Sequence, residues 1–126
     1  MNPTAKTPRR TLEKQADKLV QTVGLALCKR KCIGYSDSCL RLATEMHHIV
    51  GRRVYPEARH EALNLVPVCD TCHRLIEDNK QMFLGWLRTN LPAHYGFHYV
   101  ITRGELPRTT EESLRAKVAV LRGIAI

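Results

Sequence analysis

The residues best suited to chemistry in this sequence are three histidines and one asparagine near its centre. His47 and His48 are adjacent, Asn64 follows sixteen residues after His48, and His73 lies nine residues after Asn64. Imidazole binds divalent metal ions and exchanges a proton near neutral pH. Each histidine taken alone would be an ordinary strand or helix residue. The set as a whole favours a functional site.

Five cysteines predict a separate, structural zinc site. Cys28 and Cys32 are separated by three residues, Cys69 and Cys72 by two, and Cys39 stands alone between the pairs. Two short-spaced pairs can supply four thiolates to a tetrahedral Zn²⁺. Scattered core cysteines would not explain two pairs, and a redox dithiol would need a βαβ pattern around it. We expect zinc at the two pairs, with Cys39 in place of Cys28 or Cys32 as the alternative.

Two short strands are predicted on either side of a polar connection that begins after His48. Apolar and polar residues alternate over residues 40–46, which predicts a strand that ends at the two histidines. The apolar run Leu65–Val68 predicts a second strand, and Pro67 keeps it short or places it at a sheet edge. The chain therefore enters a loop directly after the histidine pair and leaves it at Asn64.

The remaining elements follow from spacing and capping residues. Apolar positions predict helices over residues 11–27, 71–90 and 109–123, and residues 95–102 predict a third strand. Thr11 is the expected N-cap of the first helix, and Thr109 with Glu112 forms a capping box for the last. The middle helix is expected to break near residues 78–79. This mixture of short strands and separate helices predicts an α+β fold.

Three motifs in the centre of the chain resemble those of the HNH endonuclease family. They are HHI at residues 47–49, NLVPVC at residues 64–69 and CDTCHRLIE at residues 69–77, where a cysteine knuckle runs directly into the last histidine. The resemblance covers residues 28–86. It implies a ββα-metal core, also called a His-Me finger. The four-cysteine zinc site would stabilise this core, and a helix would flank it on the N-terminal and on the C-terminal side.

The resemblance also implies a role for each residue of the first set. His48 would be the general base, because the family places it at the second position of the pair. His47 and His73 would bind one catalytic divalent ion, with Mg²⁺ or Mn²⁺ expected before other transition metals. Asn64 would tie the loop together and hold the base in position. Hydrolysis of a phosphodiester needs this combination of an activated water and a Lewis acid.

Glu77 departs from the pattern of relatives that carry a further histidine at this position. It follows His73 by four residues and therefore lies on the same face of the predicted helix. A carboxylate there suits Mg²⁺ or Mn²⁺. It could equally form a surface pair with Arg74 or Lys80, and the sequence leaves both interpretations open.

Three arginines beside the predicted base are candidates for binding phosphate groups. Arg52 and Arg53 follow the first strand, and Arg59 lies further along the same loop. Guanidinium groups match the geometry of phosphate oxygens. A solvated loop is the alternative for all three.

The charge of the chain favours a polyanionic partner. Its 126 residues include 20 Lys and Arg against 12 Asp and Glu, which gives a net charge of +8. We expect a basic tail over residues 1–10 and one domain over residues 11–126. No apolar stretch resembles a secretory signal or a membrane span, so we expect a cytoplasmic protein that does not bind a membrane.

The function implied by the resemblance is metal-dependent hydrolysis of DNA by a one-metal mechanism that leaves a 5′ phosphate and a 3′ hydroxyl. A non-catalytic, zinc-bound DNA-binding module on the same scaffold is the alternative, and a thiol redox protein is the third candidate. The chain resembles the small stand-alone HNH proteins that phages and prophages encode. This implies the host cytoplasm as location and, besides DNA, a homodimer or packaging and recombination proteins as candidate partners.

Overall fold

The computed structural model describes residues 8–51, 53–104 and 109–125, and it has the expected α+β architecture. The elements in chain order are α1 Arg9–Leu27, β1 Glu45–His48, β2 Leu65–Val68, α2 Asp70–Asp78, α3 Lys80–Asn90, α4 Pro92–Ile101 and α5 Glu111–Ala125. Two short 3₁₀ turns, Pro56–Ala58 and Ala62–Asn64, lie in the β1–β2 connection. The order of the elements β1, β2 and α2 along the chain is consistent with a ββα-metal core.

The two strands form an antiparallel hairpin that carries the histidine pair. Glu45 pairs with Val68 and His48 pairs with Leu65. The first strand begins at Glu45, five residues later than expected, because the preceding segment bonds elsewhere. The Cys32 amide donates to Arg41, and the Ala43 amide donates to Arg30. Residues 40–43 therefore follow the turn after α1 and do not extend the hairpin.

Helix α1 begins two residues before the predicted N-cap. Its N-cap is Pro8, and Thr11 lies inside the first turn, where it has no capping role. Arg9 and Arg10 of the expected basic tail belong to this helix, and residues 1–7 of that tail lie outside the described residues. Proline suits this boundary because its fixed φ favours the entry to a helix.

The buried face of α1 contacts both β1 and α5. Leu12 and Ala16 pack against Leu114 and Val118 of α5. At Gly24 the approach to β1 is so close that a Cβ would lie 2.9 Å from Met46 Cγ. Helix α1 therefore connects the hairpin to the C-terminal helix.

The predicted break near residues 78–79 is confirmed. Asn79 separates α2 from α3 with φ −150° and ψ 83°, and its side-chain oxygen accepts a hydrogen bond from the Met82 amide. Asparagine favours this position because its short side chain replaces a missing intrahelical partner at the helix start. The break allows α2 to carry His73 while α3 packs separately on the core through Phe83 and Leu87.

The prediction of a third strand was wrong, because residues 92–101 form helix α4. Pro92 occupies the first turn of this helix, where its missing amide costs no hydrogen bond. Ile101 at the other end is fully buried beside Val50 and Ala58. Tertiary packing of this kind outweighs the β preference of the aromatic residues in the segment.

The last helix has a different cap from the one predicted. The Ser113 amide donates to Thr110 Oγ1, and the Thr110 amide donates to Ser113 Oγ, both at 3.0 Å. Thr110 and Ser113 thus replace Thr109 and Glu112, and the helix continues past Gly123 to Ala125. In the described part of the chain, we find no helix that is long and apolar enough to cross a membrane.

Candidate metal centre and active site

His47, His73 and Glu77 lie close enough together to bind one metal ion. One ligand atom from each residue lies within 4.8 Å of the others. Glu77 Oε1 is 3.6 Å from His47 Nδ1 and 3.6 Å from His73 Nε2. Strand β1 supplies His47 and one turn of α2 supplies the other two residues. Two imidazoles and a carboxylate match the donor preferences of divalent transition metals, which include Mn²⁺.

Glu45 orients one of these histidines, which the sequence alone did not predict. Its Oε1 lies 2.7 Å from His73 Nδ1. Because a carboxylate accepts hydrogen bonds, His73 Nδ1 carries the hydrogen and its Nε2 keeps the lone pair on the side of Glu77. Glu45 lies two residues before His47 and therefore on the same face of β1. That spacing is the sequence feature from which its role could have been inferred.

His47 is held in its neutral form by its surroundings. It is only 7% exposed, and burial lowers the pKa of His47 to about 4, with a further contribution from the charge of His73. A neutral imidazole offers a lone pair to a metal ion, whereas an imidazolium does not. The burial of His47 thus suits a ligand better than a proton donor.

His48 points to the β1–β2 loop, on the other side of the strand. Its Nε2 lies 2.9 Å from the Arg59 carbonyl oxygen. A carbonyl only accepts, so Nε2 carries the hydrogen and Nδ1 is the basic nitrogen of the neutral ring. His47 and His48 nevertheless line the same open cavity, together with His73 and Glu77. A metal ion and a proton acceptor could therefore act on one substrate there.

Asn64 joins the two ends of the loop with its side-chain amide and its carbonyl. Its Oδ1 accepts from the Val50 amide at 2.9 Å, and its Nδ2 donates to the carbonyls of Val50 and Ala58 at 3.2 and 3.1 Å. Its own carbonyl accepts from the Ile49 amide. The side chain is buried and every polar atom on it has a partner. These bonds close the loop directly after His48.

Four of the five cysteines form a compact group in which Cys39, and not Cys28, is the fourth member. The group consists of Cys32, Cys39, Cys69 and Cys72, with ligand atoms within 4.8 Å of one another. Cys28 caps the end of α1 and lines an apolar cavity next to Val20. The chain then turns sharply through Lys29 and Arg30, whose φ values are 53° and 55°. This turn moves the following residues away from Cys28.

Each sulfur of this group accepts at least one backbone hydrogen bond. The donors are the amides of Ser36, Leu40, Arg41, Cys69 and Cys72, at distances of 3.2 to 3.4 Å. Amide donors stabilise thiolates. Burial and the hydrogen bonds have opposite effects at Cys69, where the amides of Cys72 and Leu40 lower the pKa to about 6, whereas burial raises the pKa of Cys32. Four thiolates packed this closely would need a cation, and zinc is compatible with this donor set.

The comparison with known families identifies the part of the chain that carries both groups. Residues 26–79 match the HNH endonuclease family. We call this matched segment the HNH domain. It contains the three histidines, Asn64, Glu77 and the four grouped cysteines, and it supports a nuclease or DNA-binding role.

One curated relative contains a segment similar to part of this chain. It is described as a mitochondrial DNA mismatch repair protein mutS homolog from Sarcophyton glaucum, and it is 37% identical over 82 residues. The similar region covers 58% of this chain and 8% of that protein, so the chain spans only a small part of this relative's length. No solved structure matches the chain.

The loop arginines of the HNH domain differ in their surroundings. Arg53 is exposed at the edge of a cavity that Gly51 and Pro56 also line. Arg52 lies outside the described residues. Arg59 instead donates from each of its three guanidinium nitrogens to carboxylates of α1, namely Asp17 and Glu13. The guanidinium of Arg59 is therefore already bound by carboxylates within the protein.

Asp17 is the centre of this contact between α1 and the HNH domain. Burial opposes its ionisation, but hydrogen bonds from Arg59 and His60 outweigh this effect and lower the pKa of Asp17. The same hydrogen bond to Asp17 raises the pKa of Arg59. A second pair, Lys117 with Glu61 at 2.7 Å, joins the loop to α5. The two terminal helices thus hold the loop from outside the matched segment.

Proposed function

We propose that this chain is a metal-dependent endonuclease that hydrolyses phosphodiester bonds in DNA by a one-metal mechanism. The main support for this proposal is that one open cavity is bordered both by the imidazole of His48 and by the group of His47, His73 and Glu77. A positive charge of +8 favours a polyanionic substrate. The match of residues 26–79 to the HNH endonuclease family supports this proposal.

His47, His73 and Glu77 would hold the catalytic ion, with Mg²⁺ or Mn²⁺ as the expected metal. When bound, a divalent ion supplies a Lewis acid that polarises the phosphate and stabilises the departing 3′ oxygen. Burial keeps His47 neutral and Glu45 fixes the tautomer of His73, so both imidazoles can present a lone pair to it. Glu77 contributes the negative charge that hard cations prefer.

His48 would act as the general base through its Nδ1. Nδ1 takes a proton from water while the water oxygen forms a bond to phosphorus and the bond to the 3′ oxygen breaks. The departing 3′ oxygen takes a proton from solvent water, so the products are a 5′ phosphate and a 3′ hydroxyl. Asn64 keeps the loop closed, and the Arg59 carbonyl holds Nε2–H so that the ring cannot present the wrong nitrogen. The arginine we propose to contact the phosphate backbone is the exposed Arg53.

We further propose that the cysteine group binds one structural zinc ion through Cys32, Cys39, Cys69 and Cys72. The backbone amides directed at each sulfur support thiolate ligands. The zinc would join the segment before β1 to the start of α2, so that it fixes the element that carries His73.

Plasmid nicking with a titration of Mg²⁺ and Mn²⁺ tests the catalytic proposal. We expect His48→Ala to lower the cleavage rate by about 10²–10⁴-fold, the usual contribution of a general base, while DNA binding persists. His98→Ala is the matched control, because this histidine lies on α4 and outside the site. Wild-type cleavage by His48→Ala would contradict the assignment, and DNA binding without any metal-dependent cleavage by the wild type would favour a non-catalytic binding module.

A further inference from the structure

The residue that orients the proposed base is itself bound by helix α1. The Arg59 carbonyl accepts from His48 Nε2 at 2.9 Å, and the Arg59 guanidinium donates to Glu13 and Asp17. We propose that Glu13 and Asp17 are positioning residues for His48 that act through Arg59. This inference rests on the proposed function of His48, and it assigns a role in the reaction to two residues of α1 that lie outside the matched residues 26–79.

The geometry of the ion pairs is suited to hold Arg59 in one orientation. Asp17 accepts from Nε at 2.8 Å and also from Nη2, and Glu13 accepts from Nη1 at 2.6 Å. A bidentate pair fixes the plane of the guanidinium as well as its distance. The side chains of Arg59 and Asp17 are each only 22% exposed, so solvent screens this pair less than a surface pair.

The peptides around Arg59 are held from two sides. Asn64 Nδ2 donates to the carbonyl of Ala58, the preceding residue, at 3.1 Å. His60, the following residue, lies 2.8 Å from Asp17 through its Nε2. Asn64 is part of the HNH domain, whereas Asp17 reaches the loop from α1. Ala58, Arg59 and His60 are therefore each held by a hydrogen bond, and Asp17 binds the side chains of the last two.

The same face of α1 also holds the strand that carries His48. Glu13, Asp17 and Gln21 follow one another at intervals of four residues, which places them on one side of the helix. The Gln21 side chain accepts from the Met46 amide at 2.7 Å and donates to the Met46 carbonyl at 2.9 Å. Helix α1 thus fixes the separation between the strand that supplies the imidazole and the loop that supplies its carbonyl acceptor.

Loss of the ion pairs should affect the rate more than the binding of DNA. A less constrained Arg59 carbonyl would hold Nε2–H less well, so that a larger share of His48 rings carries the hydrogen on Nδ1 and cannot accept a proton at that nitrogen. Substrate affinity should not fall, because removal of a carboxylate makes the protein more positive and DNA is an anion. A lower kcat with an unchanged or lower KM is the expected combination.

The test compares Glu13→Gln/Asp17→Asn with the wild type in steady-state cleavage of a DNA substrate, which yields kcat and KM. We expect kcat to fall about tenfold, which is typical of groups that orient a reacting side chain. Glu61→Gln is the matched control, because it removes a carboxylate from the same loop and breaks the pair with Lys117 of α5. Circular dichroism and thermal unfolding verify that the variants fold, and Asp17→Glu should recover part of the rate.

Two further measurements separate positioning from general support of the fold. In a His48→Ala background the double substitution should cause no further loss of rate, because the group that it positions is gone. Nitrogen NMR of His48 at pH 8 should show the Nε2–H form in the wild type and a mixture of forms in the variant.

An unchanged rate in a folded variant, an equal additional loss in the His48→Ala background, or an unchanged tautomer would overturn the inference. Failure of the proposed function gives a different result, namely wild-type cleavage by His48→Ala.

Discussion

The two groups of metal-binding residue types in the HNH domain differ in how they meet solvent. In the cysteine group, Cys69 and Cys72 are fully buried and the sulfurs are surrounded by backbone amides. In the histidine group, His73 and Glu77 border an open cavity, and only His47 is buried. Closed tetrahedral thiolate sites are typical of structural metals, whereas catalytic sites keep a position open for water or substrate. We therefore propose that the cysteine group stabilises the domain and that the histidine group binds the catalytic ion.

The largest effect should come from removal of the fourth ligand of the closed group. Cys39→Ser should release zinc and unfold the domain, because structural zinc in small peptides contributes roughly 10–16 kcal/mol, about the whole stability of a domain. Cys28→Ser should keep both zinc and fold, since Cys28 lies outside the group. Elemental analysis and circular dichroism distinguish the two variants. Zinc loss from Cys28→Ser with retention by Cys39→Ser would reverse our ligand assignment.

Substitution within the open group should damage catalysis while the fold persists. His47→Ala and His73→Ala should weaken binding of the catalytic ion, so part of their activity should return at high Mn²⁺, because mass action refills a weakened site. His48→Ala should lose about 10²–10⁴-fold in rate without such recovery, because no solute replaces a positioned base. Calorimetric metal titrations accompany the cleavage assay. If Mn²⁺ restored His48→Ala but not His47→Ala, the two roles would be exchanged.

A smaller effect should distinguish the two described loop arginines. Arg53→Gln should weaken DNA binding and reduce the slope of log affinity against log salt concentration by about one, as expected for one lost phosphate contact. Arg59→Gln should leave that slope unchanged, because carboxylates of α1 already bind the guanidinium. Fluorescence anisotropy at several salt concentrations measures both. A reduced slope for Arg59→Gln alone would restore Arg59 as the phosphate contact.

The smallest effect concerns a histidine remote from both groups. Burial lowers the pKa of His94 below its ordinary value of 6.5. The unfolded state therefore binds more protons than the folded state in the range between the two pKa values. The stability that a neutral His94 contributes is present above pH 6.5 and is lost as the pH falls through the folded pKa. Urea unfolding between pH 5 and 7 should thus show a shallower decline for His94→Gln than for the wild type, and parallel declines would contradict this.

The order of elements and the identity of the chemical residues were accessible from the sequence because they depend on local patterns. The polarity of residues 65–68 alternates too little to show which face of the strand is buried, but their apolar run and Pro67 sufficed to predict a short strand. Asn79 marked the break between α2 and α3. The spacing of His47, Asn64 and His73 depends on the lengths of these elements. Such features depend on a few neighbouring residues, so they can be predicted from the sequence without knowledge of the tertiary structure.

Only the tertiary structure decided which distant partners meet. The usual spacing of zinc ligands favoured Cys28 over Cys39, but after the turn at Lys29 and Arg30 it is Cys39 that lies beside Cys69. Arg59 has the charge of a phosphate ligand, but the packing of α1 places Asp17 beside it. Residues 95–102 favour a strand locally, yet no neighbouring strand pairs with them in the described structure, and their hydrogen bonds are formed within helix α4. These outcomes depend on contacts between residues far apart in the chain, and local spacing carries no information about them.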